Sequence, residues 1–136
     1  MGSEASIQTV KAFFAAIGDG DRDGLLALVA EDSEWIIPGE GWPLAGTHRG
    51  HAGIANVQRM AAEELETTYP RPPEIIALAD RVFVVGIATG KIKATGRSFN
   101  DEWVFDITVH DGKVTRIQEY IDTQALALAS RKTNQA

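Results

Sequence analysis

Two carboxylates, Asp101 and Glu119, stand on candidate strands where apolar residues recur at every second position. Side chains two apart on a strand share a face. Asp101 therefore goes with Trp103, Phe105 and Ile107, and Glu119 goes with Ile117 and Ile121. An acid set in an apolar wall resists ionisation, because burial penalises the charged form. Its pKa then rises toward neutrality, which suits general acid–base work. A second carboxylate nearby pushes the same way. The plainer alternative for Glu119 is an ion pair with Arg116, Arg97 or Lys91. For Asp101 it is a polar place near the mouth of its strand.

Three further groups bear on a site. Gly86, Ala88 and Gly90 alternate on one strand. A stripe of small side chains leaves room for a ligand, allows close packing or permits a bend. Trp35, Trp42 and Trp103 offer flat apolar faces and N–H donors, which could line a pocket or fill a core. His48 and His51 are three apart, but no third ligand accompanies them, so a polar helix start is expected and no metal. Cysteine is absent, which excludes thiolate nucleophiles and disulfides and fits a cytoplasmic protein. There is no phosphate-binding glycine motif, dinucleotide fingerprint or supported Ser/His/Asp set, so no cofactor is expected.

The elements that must position these residues follow from periodicity. Ile7, Val10, Phe13, Phe14 and Ile17 recur at three- and four-residue steps and predict an amphipathic helix over 5–18. A second short helix is expected around Leu25–Val29, after the Asp- and Gly-rich turn at 18–23. Ser33–Ile37 reads as a strand that Pro38-Gly39 ends. Residues 38–50 hold four glycines and two prolines and read as an irregular lid or rim carrying Trp42 and Leu44. A third helix over 51–64 turns Ile54, Val57 and Met60 inward. Residues 65–78, interrupted at Pro70, Pro72 and Pro73, read as a broken strand that suits a sheet edge or a bulge. Strands over 82–93, 97–109 and 113–121 form a meander, with a tight turn at Asp111-Gly112. Residues 123–131 are a short helix, capped by Asp122, or a loose tail. Residues 1–4 and 132–136 are expected to be disordered ends.

The order of helix, helix, strand, helix and then strands predicts an α+β domain over residues 1–136. Its sheet is curved, mostly antiparallel and wrapped as a cone on three amino-terminal helices. A length of 136 residues and an apolar share of 44% suit one core. No apolar run approaches the ~20 residues that cross a bilayer, and no secretory leader is visible. The formal charge of −6, with thirteen scattered Lys and Arg, argues against nucleic acid.

Ala45-Gly46-Thr47-His48-Arg49-Gly50, Thr95-Gly96-Arg97-Ser98-Phe99-Asn100, Gly112-Lys113-Val114 and Glu119-Tyr120-Ile121-Asp122 resemble segments of the nuclear transport factor two-like superfamily. Its enzymes include ketosteroid isomerases, SnoaL-type polyketide cyclases and limonene-epoxide hydrolases. The resemblance covers nearly the whole chain and implies that the faces of Asp101 and Glu119 line a pocket. The epoxide hydrolases' Arg and first Asp correspond to Gly86 and Ala88 here, and their remaining acid corresponds to Glu119. The isomerases' Tyr and Asp base correspond to Phe13 and Ile37. Neither mechanism transfers whole.

What the resemblance implies is a pocket for a small apolar or polycyclic metabolite and a cofactor-free isomerase, cyclase or hydrolase. Glu119 would be its acid or base and Asp101 a second polar group. Phe13, Trp35, Ile37, Trp42, Met60, Gly86, Ala88, Trp103, Phe105 and Ile121 would form its walls. The alternative is a binding or dimerisation module that has lost the chemistry. Relatives pair through the outer sheet face, so a homodimer is expected through Val104, Thr108 and Tyr120, with Val82 and Val84 as neighbours.

Overall fold

The alternation over residues 97–120 becomes a long hairpin in a computed structural model that describes residues 2–131. Strands β6 (Arg97–His110) and β7 (Lys113–Tyr120) meet through Asp111 and Gly112, both at positive φ. That pair of conformations gives the two-residue turn whose twist matches antiparallel strands. Strand β5 (Arg81–Ile92) pairs along β6 in register from Arg81↔Thr108 to Ile92↔Arg97.

With β1 (Val29–Ile37), β2 (Gly46–Arg49), β3 (Leu65–Thr68) and β4 (Glu74–Leu78), seven strands among the described residues form one sheet in the order β2-β1-β7-β6-β5-β3, with β4 also on β5. Strand β1 (Val29–Ile37) runs parallel to β7, and the other pairings are antiparallel. The short strands β3 (Leu65–Thr68) and β4 (Glu74–Leu78) both lie against β5, and the three prolines fall between them. The broken edge strand is thus observed, its break placed where Pro cannot supply ladder donors. The curled sheet with its helices is the expected α+β cone.

Helix α1 (Gly2–Asp19) and helix α3 (Gly50–Glu64) cover the sheet's inner face. Val10, Phe13, Ile54 and Val57 are buried there with Val82, Val84, Ile107, Val114 and Ile117. Helix α2 (Arg22–Ala27) starts one turn before the expected leucine run, because the Asp21 side chain accepts from Gly24 N–H at 2.9 Å. Val29, expected to end that helix, opens β1. Residues 123–131 resolve as a helix, α4 (Thr123–Ser130), with Asp122 accepting from Ala125 N–H at 3.0 Å.

Three expectations are corrected. Residues 46–49, assigned to an irregular loop, form β2 (Gly46–Arg49) on the edge of β1. An edge needs only one partner strand, so four residues suffice despite the flanking glycines. Residues 2–4, expected to be disordered, belong to the first turn of α1, while Met1 and residues 132–136 lie outside the described residues. Val82 and Val84 are fully buried and face inward, opposite Ile107 and Phe105. The outward neighbours of Val104 and Asp106 are instead Val85 and Phe83. Among the described residues, no helix is long and apolar enough to cross a membrane.

Candidate functional site

Glu119 lies near the end of β7, across from Phe105 on β6, and is 7% exposed. Its register puts it on the inner face with Ile117, which is buried. β1 runs beside β7 with Trp35 opposite Ile117. The Trp35 indole N–H consequently reaches Glu119 and donates to Oε2 at 2.5 Å. Among the described residues, no cation pairs with Glu119. Arg97 donates to the carbonyls of Leu128 and Arg131, and Arg116 to Gln118. Burial pushes the Glu119 carboxyl up to about 8, and the Asp101 charge adds to this, while the Trp35 hydrogen bond opposes it.

Asp101 also faces inward on β6 and is buried. It lies four positions before Phe105, the cross-strand partner of Glu119. At ~3.3 Å per residue that is about 13 Å along the strand. The Asp122 backbone N–H donates to Asp101 Oδ1 at 2.8 Å, which ties the end of β7 to β6. Burial raises the Asp101 carboxyl to about 6, opposed by that hydrogen bond and helped by the Asp122 charge. The two acids therefore differ at pH 7, Glu119 being mainly neutral and Asp101 mainly ionised.

An aromatic row begins beside Glu119, at Trp35. Phe13 of α1 packs on Trp35 with centroids 5.7 Å apart. Trp35 and Phe14 each meet Phe105, at 6.3 and 5.6 Å. Phe105 meets Trp103 at 5.0 Å, and Tyr69 stands edge-on to Trp103 at 6.3 Å. Tyr69, in the segment between β3 and β4, was missed by sequence reasoning. Its prolines hide any periodic signal, and only Tyr69-Pro70 beside an edge strand could have marked it.

The small-residue stripe resolves in favour of close packing at both glycines. Gly86 sits opposite Trp103, and a Cβ there would come 2.6 Å from the indole ring. Gly90 sits opposite Phe99, and a Cβ there would come 2.0 Å from the Glu66 carbonyl oxygen. Both glycines lie under a cross-strand aromatic ring, an arrangement that restores packing lost with the missing side chain. The space expected for a ligand at Gly86 is thus filled by Trp103. Ala88, between them, is buried.

Not every expected wall residue joins this row. Trp42 is buried, but its N–H donates to the Pro38 carbonyl at 3.0 Å and its ring lies beside Gly39, so it closes the 38–45 loop. Met60 is half-buried on α3, its sulfur accepting from Asn56. Ile37 is buried in β1, and Ile121 is half-buried just beyond β7. His48 bonds the Leu44 carbonyl and His51 the Val29 carbonyl, which fixes the approach to α3. Asp106, a buried acid on the other face, is held by Arg81 through two bonds at 2.5 and 3.2 Å. That pair shows how this fold neutralises a structural acid, and among the described residues Glu119 has no such partner.

The family model described as a SnoaL-like domain matches residues 10–117. An NTF2-like protein from Burkholderia xenovorans is 60% identical, with 96% of this chain and 99% of that one covered at a TM-score of 0.94. An NTF2-like protein from Burkholderia thailandensis is 29% identical, with 96% and 99% covered at a TM-score of 0.83. TerC, solved after co-crystallisation with polyporic acid, is 30% identical, with 93% and 98% covered at a TM-score of 0.79. No curated protein matches significantly.

Proposed function

The chain belongs to the SnoaL-like family within the NTF2-like superfamily, and from that premise we propose that it binds a small, largely apolar metabolite in the cone and catalyses a cofactor-free proton transfer on it. The reaction class is isomerisation, cyclisation or hydration. One observation carries the reading: Glu119 is buried among apolar and aromatic groups with an indole N–H as its partner and no described cation. A structural acid at that depth would be paired, as Asp106 is with Arg81.

Two acids with separated pKa values divide the roles. Glu119, mainly neutral at pH 7, donates the proton and hydrogen-bonds developing negative charge on the substrate. Asp101, mainly ionised, accepts a proton through the oxygen not engaged by Asp122. Trp35 holds the Glu119 carboxyl in place. Phe13, Phe105 and Trp103 present ring faces to a flat substrate, and Ile37, Ile121, Met60 and Ala88 complete the apolar surround. Activity should be bell-shaped in pH, with limbs near 6 and near 8.

A second reading keeps the pocket without the chemistry. It is favoured by Phe13, Ile37, Gly86 and Ala88, which offer no polar side chain where related enzymes carry theirs. Assembly as a homodimer would use the outer face, where Ile76 and Tyr120 are each 56% exposed beside Phe83, Val85 and Val104. A cytoplasmic site of action accords with the cysteine-free composition.

Acetonaphthone in deuterated buffer separates the two readings. The enzyme reading expects the protein to accelerate deuterium uptake at the carbon beside the carbonyl, with Glu119→Gln and Asp101→Asn abolishing the acceleration. Binding seen by tryptophan quenching, with uptake at the buffer rate, would instead leave the non-catalytic module. Polyporic acid serves as a second binding probe, chosen from the TerC relative.

A further inference from the structure

The Trp103 indole N–H is buried and has no hydrogen-bond partner among the described residues. The other two indoles satisfy theirs, Trp35 on Glu119 and Trp42 on Pro38. Buried Trp N–H groups usually find an acceptor, and one left unpaired costs free energy. The side chain is also firmly seated. Gly86 lies beneath its ring, so close that any Cβ would collide, and Phe105 packs against it at 5.0 Å. Gly86 thus allows an orientation that leaves the donor unused by the protein. On its remaining side stands Tyr69, which is 60% exposed and meets Trp103 edge-on.

We propose that Trp103 Nε1–H is the hydrogen-bond donor for an acceptor oxygen of the bound ligand, which reaches it past Tyr69. The assignment rests on the pocket reading above and narrows it to ligands of one chemistry. The ligand is flat, because its neighbours are the rings of Trp103, Phe105 and Tyr69. It carries a carbonyl or ether oxygen, because an indole can only donate. Trp103 is thereby a specificity-determining residue, discriminating such ligands from hydrocarbons of the same shape. A trapped water is the competing occupant, since water also serves buried polar groups.

The test uses acetonaphthone and its hydrocarbon counterpart ethylnaphthalene, attached at the same ring position. Indole ¹⁵N–¹H spectra of the whole protein are recorded during each titration. The three tryptophan signals are assigned with Trp35→Phe, Trp42→Phe and Trp103→Phe variants. The ketone is expected to move the Trp103 signal downfield and to bind about tenfold tighter than the hydrocarbon. Trp103→Phe should erase that preference, and Trp42→Phe should keep it. Equal binding of the two probes with an unmoved Trp103 signal overturns the assignment while leaving the pocket reading intact. A water contact at Trp103 Hε1 that persists at ketone saturation overturns it likewise. Failure of both probes to bind sinks the pocket reading and the assignment with it. If Trp103→Phe does not fold, the ketone-induced shift in the unaltered protein decides.

Discussion

Replacing Glu119 with Gln should stabilise the protein, and the gain should grow with pH. The carboxyl titrates near 4.5 in the unfolded chain and near 8 when folded. A raised folded value means that the native state holds its proton more tightly than the unfolded state. Stability from this group is complete below pH 4.5 and is lost as pH rises toward 8. Each pH step in that window costs up to about 1.4 kcal/mol. At pH 7 the accumulated cost is roughly 3 kcal/mol, and by pH 9 it levels off near roughly 4.5 kcal/mol. Gln cannot ionise, and its amide oxygen can still accept from Trp35. The difference between variant and parent should therefore be near zero at pH 4.5 and roughly 3 kcal/mol at pH 7, offset in part by the extra amide hydrogen. For a chain of this size that corresponds to a melting temperature higher by roughly 10 °C. The assay is urea unfolding from pH 4.5 to 9, followed by the fluorescence of the three buried tryptophans. A variant whose advantage is flat with pH, or one that is less stable at pH 7, would refute the reasoning and return Glu119 to a structural role.

Other perturbations read different parts of the site. Asp101→Asn removes a charge that raises Glu119, so Glu119 should titrate below about 8 in carboxyl-carbon NMR. Trp35→Phe removes the bond that favours the ionised form, so the same signal should titrate above about 8. Gly86→Ala places a methyl group against the Trp103 ring and should cost about 1–3 kcal/mol in urea unfolding. If the outer face is a dimer interface, light scattering at micromolar concentration should show a dimer, and Tyr120→Arg should convert it to monomer.

Much of this was legible where one face of a strand is buried. The alternation of Trp103, Phe105 and Ile107, and of Ile117, Glu119 and Ile121, put both acids on the inner wall, and both are buried. Asp111-Gly112 marked the hairpin because both residues must take positive φ. What stayed hidden depends on partners distant in sequence. Trp35 is 84 residues from Glu119, and only the parallel β1–β7 pairing brings them together. The glycine stripe was ambiguous because a small residue means space or contact according to what stands opposite. Register set Trp103 opposite Gly86 and Phe99 opposite Gly90. The same register turned Val82 and Val84 inward, since a shift of one residue exchanges the faces. Tyr69 lay among prolines that interrupt any pattern, and β2 was too short to show one.

The proposed chemistry turns on the protonation state of the Glu119 side chain. A carboxyl-carbon NMR titration of ¹³C-labelled protein, with Glu119 assigned through Glu119→Gln, reads it directly. The prediction is a midpoint near 8, so that the group is mainly neutral at pH 7. A midpoint near 4.5, the ordinary value for Glu, would mean that the carboxyl is solvated or paired with a cation, and the acid proposed for this site would not exist.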